Sequence, residues 1–159
     1  MLFTKFFTKS ITNLLAIFVI AFSSIASAGD NTDTDANGVI LAGHDAVAYF
    51  TKNKAVEGSA KYTAIYNDAI YRFSNAKNRN LFKSNPEKYA PQYGGFCAYG
   101  MTFGKKFEID GKAFEIVNGK LFVNKNLSVY ESWRKDIPTH ITQANEQWPS
   151  VEHIAANKL

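Results

Sequence analysis

The Asn118-Gly119 pair is the feature that most limits the folds open to this 159-residue chain. Asn-Gly between two apolar runs predicts a two-residue β-turn, because both residues tolerate the positive φ angles that a type I′ turn requires. The flanking segments, Phe114–Val117 and Lys120–Val123, are therefore expected to pair as an antiparallel hairpin.

Asn67-Asp68 predicts a second hairpin of the same kind. It separates Lys61–Tyr66 from Ala69–Phe73, and both segments are rich in β-branched and aromatic residues. Alternation along the first segment places three side chains on one face of the strand: Tyr62, Ala64 and Tyr66. The apolar run Ala46–Phe50 is predicted to be a further, buried strand.

Helix signals lie between and after these hairpins. Ser74 is predicted to cap a helix over residues 75–84, and Pro86 to begin another short helical turn. Asn126 is predicted to cap the first of two C-terminal helices, and Pro138 to begin the second. The chain is therefore expected to form an α+β domain of small antiparallel hairpins, short helices and two C-terminal helices.

The N-terminus has the pattern of a secretory signal peptide over residues 1–28. Lys5 and Lys9 precede an apolar run over residues 11–22, and the small residues Ala26-Ser27-Ala28 form a cleavage site. The run is short for a membrane anchor, which needs about 20 apolar residues. We expect a periplasmic or secreted protein without a membrane anchor after cleavage.

The mature chain divides into three parts. Residues 29–38 are polar and acidic and are predicted to be a flexible lead-in. Residues 39–149 are predicted to form one domain that Pro149 closes, followed by a tail over residues 150–159.

Net charge gives no reason to expect a nucleic-acid or membrane partner. Removal of the signal peptide takes away Lys5 and Lys9, which leaves 16 basic residues against 14 acidic ones, a net charge of +2. So small an excess does not favour binding to a phosphate backbone or an anionic membrane surface. We expect a monomer, with a metal ion or a periplasmic protein as its candidate partners.

Cys97 is the only cysteine of the chain, and it lies in the run Tyr93–Met101, which is rich in glycine and aromatic residues. A single thiol excludes an intramolecular disulfide, and without a C-x-x-C pair the dithiol redox mechanism is excluded too. The remaining roles are core packing, metal ligation, nucleophilic catalysis and disulfide dimerisation.

Several segments together resemble a YHS domain of the exported, single-domain bacterial kind. The resemblance covers roughly Val39 to Pro149 and implies a small treble-clef-like core. The segments that carry it are Gly43–Phe50 (GHDAVAYF), Tyr71–Ser74 (YRFS), Leu81-Phe82, Asn85–Tyr89 (NPEKY), Pro91–Tyr99 (PQYGGFCAY), Val117–Leu121 (VNGKL), and the helices around Trp133 and Trp148.

The chain departs from the metal-binding members of that family. The resemblance implies three cysteine positions, which here hold Ala48, Ser74 and Asn78. None of these side chains replaces a thiolate as a ligand for zinc or a softer metal. Any metal site in this chain is therefore made from other residues.

The candidate metal ligands are Cys97, Met101 and His44. Cys97 and Met101 are four residues apart, so on a helical turn their sulfur atoms lie on one side. A thiolate, a thioether and one imidazole suit Cu(I) or another soft metal. His44 is the preferred third ligand, and His140 and His153 are weaker choices.

Other interpretations stay open. Cys97 and Met101 are better explained as core packing residues than as metal ligands. Cys97, His44 and Asp45 would form a nucleophile, a base and an orienting group if they met in space, although neighbouring side chains of an extended segment point apart. A third possibility is a shallow aromatic surface formed by Tyr93, Phe96, Tyr99 and Phe103.

From these observations we expect an exported, non-enzymatic YHS-domain protein that binds or handles a soft, copper-like metal. The alternatives are a metal-free protein- or ligand-binding module in which Cys97 packs in the core, and a thiol-dependent enzyme.

Overall fold

The computed structural model describes residues 31–159, so the signal peptide predicted for residues 1–28 lies outside the described part of the chain. Within residues 31–159 the fold is mixed α+β, as predicted, with two separate two-stranded antiparallel sheets and six α-helices. The elements are α1 (Ala46–Lys52), β1 (Ser59–Tyr66), β2 (Ala69–Phe73), α2 (Ala76–Ser84), α3 (Pro86–Tyr89), α4 (Ala98–Met101), β3 (Asp110–Val117), β4 (Lys120–Asn124), α5 (Leu127–Trp133) and α6 (Ile137–Val151).

Both predicted hairpins are confirmed. Strands β1 and β2 pair antiparallel around Asn67-Asp68, and strands β3 and β4 pair around Asn118-Gly119. All four turn residues have positive φ angles, between 48° and 75°, as a type I′ turn requires. Alternation on β1 is also confirmed, since three half-buried residues face the core: Tyr62, Ala64 and Tyr66.

The prediction that Ala46–Phe50 forms a buried strand is wrong, because the segment is helix α1. The carboxylate of Asp45 caps this helix by accepting the backbone N–H groups of Val47 and Ala48, at 3.0 and 3.2 Å. A short apolar run fits a buried helix as well as a buried strand. The Asp that precedes it was the signal that favours a helix.

The cap of α2 also differs from the prediction. Asn75 fills the cap position, and its Oδ1 accepts the backbone N–H of Asn78 at 2.9 Å. Ser74 instead bonds the carboxylate of Asp45 through both its backbone N–H and its hydroxyl. The predicted cap of α5, Asn126, is confirmed by its 2.9 Å bond from the N–H of Val129.

Strand β4 lies between two hydrophobic cores. Its side chains alternate: Leu121 and Val123 enter the first core, and Phe122 enters the second. The first core is built chiefly from Ile40, Leu41, Val47, Tyr49, Tyr71, Phe73 and Phe82. The second core includes Tyr93, Phe96, Met101, Trp133 and Ala144.

The structure differs from the prediction at both ends of the domain. Part of the predicted lead-in is packed: the N–H of Asp33 donates to the carbonyl of Gly94 at 2.9 Å, and Thr32 is buried. At the other end, Pro149 lies inside α6, which continues to the buried Val151. None of the helices within residues 31–159 has the length and apolar character needed to cross a membrane.

Candidate functional site

Cys97 is buried, with 1% of its surface exposed, and it occupies the cap position of α4. Its Sγ accepts the backbone N–H of Gly100 at 3.4 Å and lies 3.7 Å from Oδ1 of Asn124, to which the thiol can donate. The same oxygen accepts the N–H of Tyr99 at 3.1 Å, which fixes the orientation of the Asn124 amide. The thiol therefore shares the Asn124 oxygen with the Tyr99 N–H, whereas Nδ2 of Asn124 is buried without a hydrogen-bond partner among residues 31–159.

Burial raises the pKa of the Cys97 thiol above its usual range. Backbone N–H groups around the sulfur and the charge of Lys125 act in the opposite direction, but the effect of burial is larger. A thiolate is the reactive and metal-binding form of cysteine, and this environment favours the neutral thiol. The site thus resembles that of a structural cysteine more closely than that of a nucleophile.

Met101 lies one helical turn after Cys97, and its backbone N–H donates to the carbonyl of Cys97 at 3.0 Å. Its side chain is fully buried in the second core. Cys97 and Met101 are therefore one helical turn apart, as the spacing predicts, and core packing accounts for the inward position of the Met101 side chain.

His44 lies beside the first core. Its Nδ1 is 3.0 Å from the carbonyl oxygen of Leu41, which can only accept, so Nδ1 carries the proton. The ring also lies against Gly111, where a Cβ atom would come within 2.3 Å of Nδ1. Neither of these contacts involves Cys97 or Met101.

The two weaker histidine candidates have other contacts. Nδ1 of His140 is 2.6 Å from the carbonyl of Trp133, and its ring packs edge-on against Tyr99 at 5.0 Å. His153 is exposed, and its Nδ1 is 3.1 Å from Oδ1 of Asn31. Within residues 31–159, no three His, Cys, Asp or Glu side chains are grouped to hold a metal ion. These contacts do not favour a soft-metal site of Cys97, Met101 and a histidine.

Asp45 holds an extensive polar network that bears on the sequence predictions. Its carboxylate is fully buried and accepts five hydrogen bonds. Besides the two helix-capping bonds to Oδ1, Oδ2 accepts the backbone N–H and hydroxyl of Ser74, at 2.8 and 2.7 Å, and the side-chain amide of Asn78 at 2.7 Å. Asp45 therefore does not orient His44, as the catalytic hypothesis requires.

The same network places together the three positions at which the resemblance implies cysteines. The backbone N–H of Ala48 and the side chains of Ser74 and Asn78 all donate to the carboxylate of Asp45. Five donors occupy the lone pairs of one carboxylate and leave no free ligand position, so these residues do not fit a metal ion. Asp45 joins α1 to the start of α2 through hydrogen bonds alone.

The predicted aromatic surface is present in part. Tyr93 and Phe96 are buried in the second core, but Phe103 is 66% exposed and its ring lies edge-on to Tyr99 at 5.5 Å. Phe107, which the sequence reasoning missed, is 42% exposed and lies on Gly100, where a Cβ would come within 2.5 Å of its ring. We call Tyr99, Phe103 and Phe107 together the aromatic surface.

A small acidic cavity lies beside Glu108 and Ile109. It has a volume of about 190 Å³ and is lined in part by Asp33, Asp35 and Glu108. Burial, reinforced by Glu108, raises the pKa of Asp33 to about 7, although the N–H of Ile109 bonds its carboxylate and acts against the rise. A segment whose composition predicts flexibility thus contributes a half-buried titrating group.

Comparison of the chain with known protein families, with curated proteins and with solved structures finds no match. The resemblance to a YHS domain therefore depends on the sequence motifs quoted above.

Proposed function

We propose that the mature chain is an exported, monomeric, non-enzymatic binding module with a YHS-like core, and that a protein partner docks on its aromatic surface. One contrast carries the proposal: Phe103 is 66% exposed beside Tyr99, whereas Cys97 is 1% exposed. The side chains that can meet a partner are the rings, because the thiol is buried.

The aromatic surface has the properties of a preformed binding site. Large aromatic side chains are enriched at protein interfaces, and a few of them usually supply most of the binding energy. Here the edge-on contact with Tyr99 restricts the Phe103 ring, and the contact with Gly100 restricts the Phe107 ring. Because the two rings are already restricted in the free protein, less side-chain entropy is lost when a partner binds.

Cys97 supports this surface. Its backbone N–H donates to the carbonyl of Phe107 at 3.0 Å, and its Sγ accepts the N–H of Gly100. The first bond ties the α4 turn, which carries Tyr99, to the segment that carries Phe107, and the second caps α4. The backbone of Cys97 thus links two parts of the aromatic surface, and its thiol holds the start of the helix that carries Tyr99.

The soft-metal hypothesis has less support. Cys97 is 1% exposed, and its Sγ already accepts the N–H of Gly100 and lies 3.7 Å from Oδ1 of Asn124. Met101 packs in the second core, and the His44 ring contacts the carbonyl of Leu41 and Gly111 rather than either sulfur atom.

In-cell photocrosslinking tests the proposed function. A photoreactive phenylalanine analogue at position 103 is expected to give a discrete adduct with a protein partner. The matched control is position 65, where Ile65 is 76% exposed on β1, distant in sequence from the aromatic surface. Equal labelling from both positions, or none from either, would contradict the proposal.

A further inference from the structure

Two lysines flank the aromatic surface. Lys125 is exposed, and its Nζ lies 5.0 Å from the centre of the Phe107 ring, in a cation–π contact. Lys105 is exposed and lies between Phe103 and Phe107 in the chain, where its backbone N–H donates to the carbonyl of Gly100 at 3.1 Å. The cation–π contact puts the charge of Lys125 beside the Phe107 ring, and Lys105 adds a second exposed lysine two residues from both Phe103 and Phe107 in the chain.

The neighbouring acid has its own electrostatic partner. Glu108 directly follows Phe107, but it lines the acidic cavity and raises the pKa of Asp33. The Phe107 ring instead contacts Gly100 and Lys125.

We propose that the partner presents an acidic peptide segment with an aromatic or large apolar anchor. The anchor packs against Phe103 and Tyr99, and carboxylates pair with Lys105 and Lys125. This inference rests on the proposed function and adds the chemistry of the partner. Two lysines on a mature chain of net charge +2 fit a short acidic segment better than a polyphosphate backbone or a membrane.

Three matched peptides provide the test: acetylated, amidated Glu-Glu-Trp-Glu-Glu and its counterparts with Gln or Lys in place of Glu. Each is titrated into the mature protein while the amide and aromatic NMR signals of residues 99–107 are followed. Two exposed ion pairs together correspond to roughly threefold to tenfold in affinity. We expect the acidic peptide to bind tighter than the neutral one by about that factor at low salt, and the advantage to vanish in roughly 0.5 M salt.

Two variants separate the parts of the proposal. Lys105→Glu with Lys125→Glu should reverse the order of the acidic and basic peptides, whereas Phe103→Ser should weaken all three. If the three peptides bind equally and Phe103→Ser still abolishes binding, the proposal of an acidic partner is wrong, whereas the proposal that the aromatic surface binds a partner is supported. If no peptide shifts the signals of residues 99–107, or if vesicles of phosphatidylglycerol shift them instead, the inference is overturned.

Discussion

The substitution Asp45→Asn is expected to destabilise the domain strongly, although it only exchanges one oxygen for an NH₂ group. If the new amide oxygen replaces Oδ2, it keeps the bonds from Ser74 and Asn78, but the NH₂ group then faces the N–H groups of Val47 and Ala48. Two buried donors lose their acceptor, at about 1–3 kcal/mol each. We expect a loss of about 4 kcal/mol, a large part of the roughly 5–15 kcal/mol that stabilises a domain.

Thermal and urea unfolding of the mature protein measure this loss. For a domain of this size, about 4 kcal/mol corresponds to a fall in melting temperature of roughly 12–20 °C. The matched control is Asp136→Asn, at an exposed cap whose carboxylate accepts the N–H of Thr139 at 3.3 Å. Asn caps a helix as well as Asp does, so the control should change stability by less than about 0.5 kcal/mol. Equal effects of the two substitutions would refute the role assigned to Asp45.

Three further predictions concern the glycine turn, the acidic cavity and the thiol. Gly94→Ala should destabilise the domain by more than about 2 kcal/mol in urea unfolding, because Gly94 has a φ of +60° and a Cβ would lie 1.8 Å from the carbonyl oxygen of Asn31. The control is Gly119→Ala, which has a φ of +75° and open space around it and should cost only about 1 kcal/mol. Because the pKa of Asp33 is raised to about 7, the folded protein binds a proton more tightly than the unfolded chain does. The free energy of unfolding should therefore fall as the pH rises from about 4 to about 7, and an Asp33→Asn variant should lack this pH dependence. Cys97 should resist a thiol reagent in the native protein and react at once in guanidinium, with a monomer on a non-reducing gel; rapid native labelling would contradict its burial.

The hairpins and the later helix caps were readable from the sequence because their signals are local. Asn118-Gly119 fixes its own turn, and the cap of α5, in which the N–H of Val129 donates to Oδ1 of Asn126, spans three residues. Helix α1 was misread because most of Ala46–Phe50 is fully buried, and burial removes the periodicity that separates a helix from a strand. Ser74 was misread for a related reason, since its partner Asp45 lies 29 residues away.

The candidate site could be predicted only in part. Composition indicated an aromatic surface near Cys97, and Tyr99 and Phe103 belong to it. Whether a ring is exposed depends on which elements cover it, so the sequence did not separate the buried Tyr93 from the exposed Phe107. The burial of Cys97 and Met101 likewise depends on the elements packed around them, which is a property of tertiary packing.

Titration of the reduced mature protein with Cu(I), against a competing chelator, tests the central claim most directly. We predict that the wild type and a Cys97→Ala variant bind Cu(I) equally weakly, because the thiol is a neutral, buried packing group. Tight binding of one Cu(I) that is lost in Cys97→Ala would contradict the account and would restore the soft-metal hypothesis.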